Sequence, residues 1–145
     1  MKIFFKVLVW IAGGLIALVV ISISGFWWFL DYSAGMMCDN LIINSTKLRE
    51  VNLNIVLFQR DCGATTGFNT QISMINIGEE FPNESGNIFT ADTGHGKVSG
   101  GRGGGPEVKV EVVYKIHIKI SHHPDARGFN SQNQWENVRI EYDDL

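Results

Sequence analysis

Val108-Lys109-Val110-Glu111-Val112-Val113-Tyr114-Lys115-Ile116-His117-Ile118-Lys119-Ile120 is the stretch that sets the fold class of this chain. Val108, Val110, Val112, Tyr114, Ile116, Ile118 and Ile120 share one side of an extended strand. Lys109, Glu111, Lys115, His117 and Lys119 share the other, with Val113 the exception. A period of two with one apolar and one charged side marks an antiparallel sheet that buries a single face. At ~3.3 Å per residue the stretch would reach ~43 Å, long for a small domain, so a bend or tight turn is expected near 113–115.

The same period recurs outward from this stretch. Val51, Leu53, Ile55 and Leu57 alternate with Asn52, Asn54, Val56 and Phe58, and Phe68, Ile72 and Met74 alternate with Asn69, Gln71 and Ser73. Between these runs, Asp61-Cys62-Gly63-Ala64-Thr65-Thr66-Gly67 reads as the longer loop of a hairpin. Residues 79–86, with Pro82, Asn83, Ser85 and Gly86, read as a connection; Asn87 to Asp92 supplies a short strand; Val138, Ile140 and Tyr142 mark a last one. Seven of the fifteen residues from Thr93 to Glu107 are glycine, and such a stretch is expected to be a mobile loop because ordering it costs maximal backbone entropy. It lacks the GxxxxGK[ST] spacing of a phosphate-binding loop.

Toward the N-terminus the character changes. From Val7 to Leu30 there are 24 residues without a charge, preceded by Lys2 and Lys6 and followed by Asp31. A helix of that length reaches about 36 Å, enough to cross a hydrocarbon core of roughly 30 Å, and the flanking lysines place its N-terminus in the cytoplasm. Trp27, Trp28 and Tyr32 sit where interface anchors belong. The competing reading is a signal peptide cleaved after the small residues Ser22 and Ser24. Gly35-Met36-Met37 ahead of Cys38 does not resemble a lipobox, and Gly13 with Ala17 is a weak small-xxx-small pair. The expected organisation is a cytoplasmic tail (1–6), a transmembrane helix (7–30), a juxtamembrane linker (31–50) and an extracytoplasmic β domain (51–145). The fold class is thus mainly β: a single N-terminal transmembrane helix followed by a small antiparallel β-sheet domain.

Lys2 and Lys6 are two of the 12 basic residues, so the chain beyond Leu30 carries 10 against 15 acidic ones, a net −5. No basic surplus exists to displace counterions from phosphates, which excludes an electrostatic nucleic-acid binder. The size excludes a large multidomain enzyme. Cys38 and Cys62 lie on the side where disulfides persist, and an even count there favours a bridge over two free thiols. A nucleophilic Cys62 is disfavoured because Asp61 would raise its pKa, although Arg60 is close.

Chemistry-bearing clusters are few. His122, His123 and Asp125 form a possible metal set, yet His122-His123-Pro124-Asp125 also reads as a strand entering a proline turn, and no cofactor is expected. Glu79-Glu80 and Asp143-Asp144 are solvated pairs; Asn44-Ser45-Thr46 and Asn83-Glu84-Ser85 fit a glycosylation sequon that matters only in a eukaryotic secretory pathway. The densest cluster is the loop around Cys62, either a stapled hairpin or a presented recognition surface. On the second reading Arg60, Asp61, Thr65 and Thr66 are the binding residues: a guanidinium fork, a carboxylate and two hydroxyls.

Phe58-Gln59-Arg60-Asp61-Cys62-Gly63-Ala64-Thr65-Thr66-Gly67-Phe68, followed by Thr70-Gln71 and Ser73, resembles the core of a family of small uncharacterised bacterial envelope proteins. Gly86-Asn87-Ile88-Phe89 with Ala91-Asp92, Gly103-Gly104-Gly105-Pro106-Glu107-Val108 and His122-His123-Pro124 extend the likeness over roughly 38–125. Around Tyr114 the chain departs from that pattern, where other members carry extra turn residues. The resemblance implies an envelope location and a β-rich domain, and carries no activity. The expected function is a binding or interaction protein anchored in the bacterial inner membrane, single-pass with its C-terminal domain outside, possessing a protein partner and an inhibitor or immunity-like role. The alternative is a metal-dependent or other hydrolase using His122, His123 and Asp125. A pilin-like filament subunit is disfavoured because the apolar segment has no acidic residue near its start.

Overall fold

The computed structural model describes residues 2–36, 38–63 and 67–145. The chain divides into two units, Met1–Met37 and Cys38–Leu145. The first is one helix, α1 (Lys2–Met36), longer at both ends than the uncharged run. Within it Ile3–Leu30 has a mean hydropathy of 2.6, so it is long and apolar enough to cross a membrane. A helix apolar all round needs an apolar surrounding.

The second unit is a β-sandwich. Its strands are β1 (Asp39–Leu48), β2 (Leu53–Asp61), β3 (Asn69–Asn76), β4 (Phe89–Asp92), β5 (Val108–Tyr114), β6 (His117–His122), β7 (Arg127–Ser131), β8 (Gln134–Trp135) and β9 (Val138–Asp144). A five-stranded sheet has the order β1-β2-β3-β4-β7, and a four-stranded sheet the order β5-β6-β9-β8. All pairs are antiparallel except β6 with β9, which run parallel because the chain passes through the other sheet between them. Leu53, Ile55, Leu57, Ile72, Met74, Phe89 and Ala91 from one sheet meet Val108, Ile118, Ile120, Val138 and Ile140 from the other, forming one core. The fold class read from the sequence is the one observed.

Two differences and one agreement have physical causes. Residues 39–48, expected within a juxtamembrane linker, form β1, paired with β2 from Asp39↔Asp61 to Leu48↔Leu53. A register shift between Ile42 and Asn44 breaks the alternation there, so Leu41-Ile42-Ile43 does not read as a strand. The β unit therefore begins at Cys38 rather than at residue 51. The long alternating stretch does turn, at Lys115-Ile116, and a second register shift between Val112 and Tyr114 absorbs the out-of-phase Val113. Lastly, the glycine-rich segment, expected to be mobile, follows a packed path. The Gly101 amide donates to the Gly105 carbonyl (2.7 Å), and the Thr70 hydroxyl donates to the Pro106 carbonyl (2.7 Å). A Cβ on Gly105 would lie 2.5 Å from Thr70 Oγ1 and 2.6 Å from the Asn69 carbonyl carbon. Glycine is used here because backbone meets backbone, not for freedom of motion.

Candidate functional site

The end of the five-stranded sheet that carries the cysteines is polar across its whole width. Asn40, Arg60, Asn69, Asp92 and Arg127 stand in register on β1, β2, β3, β4 and β7, on the face away from the core. The neighbouring positions Val56 and Phe58 are buried on that same face, because the 79–86 connection folds over it and Phe81 meets Phe58 edge-on, with ring centroids 4.9 Å apart.

Arg60 lies beneath that connection, 8% exposed. Its Nη1 donates to Asn40 Oδ1 (2.8 Å) and Asn83 Oδ1 (3.0 Å). Asn83 Nδ2 in turn donates to the Cys38 carbonyl (2.7 Å), and Asn40 Nδ2 donates to the Glu84 carbonyl (3.0 Å). Arg60, expected as a presented donor, instead ties the connection to the sheet. Asp61 is exposed, and its Oδ1 accepts from the Gly63 amide (2.9 Å) as a turn-forming carboxylate does. Thr65 and Thr66 lie outside the described residues. Cys38 and Cys62 are joined in a disulfide, with Cα atoms 3.9 Å apart.

At the far side of the same polar row, Arg127 grips Asp92 with a two-pronged contact, Nε to Oδ1 at 3.2 Å and Nη2 to Oδ2. Burial pushes the Asp92 carboxyl up, but Arg127, the Gly94 amide and His95 outweigh it and hold it below the ordinary carboxylate value. Arg127 Nη1 also donates to His95 Nε2 (3.1 Å), and its guanidinium lies 4.8 Å from the Phe129 ring centre. This cluster is internally satisfied.

The His122, His123 and Asp125 set does not converge. His122 Nδ1 faces the His123 carbonyl (3.0 Å) and its ring lies beside Phe89, while the Asp125 amide donates to His123 Nδ1 (3.1 Å). These are the contacts of a proline turn, and among the described residues no group of three His, Cys, Asp or Glu side chains is placed to hold a metal ion.

A feature with room for a ligand lies away from every residue that the sequence marks for binding or metal ligation. A cleft of about 710 Å³ opens along one side of the sandwich, between β1 and β5. Ile43, Asn44, Leu57 and Thr70 line it from the five-stranded sheet; Gly101 and Arg102 stand at its end; every residue from Pro106 to Glu111 lines its opposite wall. A strand face contributes alternate residues, so an unbroken run means that the cleft is bounded by the edge of β5 itself. Lys109 is paired with Glu107 (3.5 Å) and Glu111 with Lys119 (3.7 Å), whereas Arg102 has no ion pair among the described residues. The one local sequence signal near this site is a glycine run with a single arginine leading into β5; that β5 is an edge strand emerges only from the sheet order. Compared with family models, with curated proteins and with solved structures, the chain gives no match.

Proposed function

We propose that this chain is a membrane-anchored binding protein of the bacterial envelope, with α1 spanning the inner membrane, its N-terminus inside and the β-sandwich outside. It belongs, on this reading, with the envelope proteins that share the Phe58–Phe68 string, and takes a protein partner; an inhibitor or immunity-like role is the concrete form, by analogy. The carrying observation is the side cleft: an apolar floor and an unpaired strand edge in a domain that follows a membrane-length helix. The cleft joins apolar Ile43, Leu57, Val108 and Val110 to the charged Arg102, Glu107, Lys109 and Glu111, a mixture suited to a polar chain such as a peptide. The Cys38–Cys62 bridge supports the outward placement, since such bonds persist in oxidising compartments.

Two measurements in intact cells test the reading. A reporter active only outside the cytoplasm, fused after Leu145, is expected to be active; activity of a cytoplasm-only reporter instead would overturn the topology. A photoreactive amino acid placed at Val110 or at Asp61 is expected to join the chain to a second protein. Absence of any adduct from either position would remove the binding role.

A further inference from the structure

The two sheets are unequal on the side where the cleft lies. β1 forms the edge of the five-stranded sheet, β5 the edge of the four-stranded one, and Ile43 and Asn44 face Val108–Glu111 across open space. The smaller sheet has one strand fewer, and although Leu48 of β1 is buried in the shared core, Ile43 and Asn44 line the cleft. Among the described residues, 108–112 make no backbone hydrogen bond beyond their pairing with β6. Resting on the binding role proposed above, we infer that the partner presents an extended C-terminal peptide, which joins β5 as an added antiparallel strand with its terminal carboxylate on Arg102.

Four observations select this occupant. An added strand places alternate side chains inward, over Ile43 and Leu57, and its main chain satisfies the free edge of β5. The competing edge, β1, is interrupted by its register shift at Ile43, where the ladder is broken, while β5 is regular as far as Val112. A guest antiparallel to β5 ends at the Glu107 end, where Arg102 is the cation without a partner among the described residues. The guest must stop there: Gly100 bridges Pro106 and Gly101 lies against Glu107, so the glycine-rich loop closes that end of the edge. A chain end, with its carboxylate, therefore meets Arg102 rather than a strand passing through.

The test uses the detergent-solubilised full chain and a dye-labelled synthetic peptide, Val-Lys-Val-Glu-Val-Val, which sets Glu against Lys109 and Lys against Glu111. Three forms are compared: free C-terminal acid, C-terminal amide, and an acid N-methylated at alternate residues. The acid is expected to bind by fluorescence anisotropy and to slow amide exchange at 107–112. The amide, and the acid with the Arg102→Gln chain, are expected to bind about tenfold more weakly, the loss of one charge-assisted contact. The N-methylated form is expected not to bind, lacking ladder donors. Equal binding of acid and amide assigns any carboxylate contact to the Glu side chain and overturns the proposal. So does equal binding of the N-methylated form, or no protection of 107–112 at millimolar peptide. If these fail while Asp61 still crosslinks a partner in cells, the binding role stands and the strand-addition site falls.

Discussion

Gly105→Ala separates a packed glycine loop from a flexible one. In a flexible loop the added methyl narrows the unfolded ensemble and stabilises by about 0.4–1 kcal/mol. Here the new Cβ would stand 2.5 Å from Thr70 Oγ1, about 0.9 Å inside ordinary contact, with the Asn69 carbonyl carbon at 2.6 Å and the Thr70 nitrogen at 2.8 Å. Those atoms belong to β3, held by β2 on one side and β4 on the other, so the sheet has little room to give. Overpacking of this kind costs about 1–3 kcal/mol, and displacing the Thr70–Pro106 hydrogen bond adds about 1. Less the entropic gain, the expected loss is about 1–3.5 kcal/mol, centred near 2. With a urea slope near the middle of the usual range, about 2 kcal/mol per molar, the unfolding midpoint falls by about 1 M. Pulse proteolysis of the full chain in detergent across a urea series reads this without interference from the tryptophans of α1. Gly67→Ala is the control, since a Cβ there meets nothing within 4 Å. Equal midpoints for the two variants would refute the close-packing argument.

Replacing both cysteines by serine opens a loop of sequence separation 24, for which the chain-entropy relation gives about 3.5 kcal/mol; urea unfolding with and without reductant measures it. Asp92→Asn, which leaves the half-exposed Arg127 without its counter-charge, is expected to cost about 1–3 kcal/mol. Because the folded Asp92 carboxyl sits below its unfolded value, its contribution is complete above about pH 3.9 and is lost as pH falls through the folded value. Acid unfolding of the Asp92→Asn chain should accordingly depend less on pH in that window than unfolding of the wild type; parallel curves would remove Asp92 from the account.

β5 and β6 are legible in the sequence because their valines and isoleucines alternate with charges and one face of their sheet is wet. β2 and β3 are legible for their core face. Their other face explains the misreading of Arg60: Val56 and Phe58, two apolar residues on the supposed solvent side, signal a second covering layer, and Arg60 shares that side. β7, Arg-Gly-Phe-Asn-Ser, carries one strongly strand-forming residue, and its place comes from pairing with β4. The cleft is a property of two strand edges distant in sequence, so no local pattern encodes it. Glycine composition is equally silent, since freedom and close approach call for the same residue.

The position of the disulfide decides how the domain bears tension. Any pull transmitted along the chain from α1 enters the sandwich at Cys38, one residue ahead of β1. β1 is an edge strand, and tugged from that end alone its ladder with β2 would unzip pair by pair, beginning at Asp39 and Asp61. The bond to Cys62 diverts the load past the whole of 39–61 and delivers it to the chain just beyond β2, a strand flanked on both sides. The force then bears on a broad, laterally supported sheet instead of on its most peelable member. In reducing surroundings the same tether becomes a ripcord.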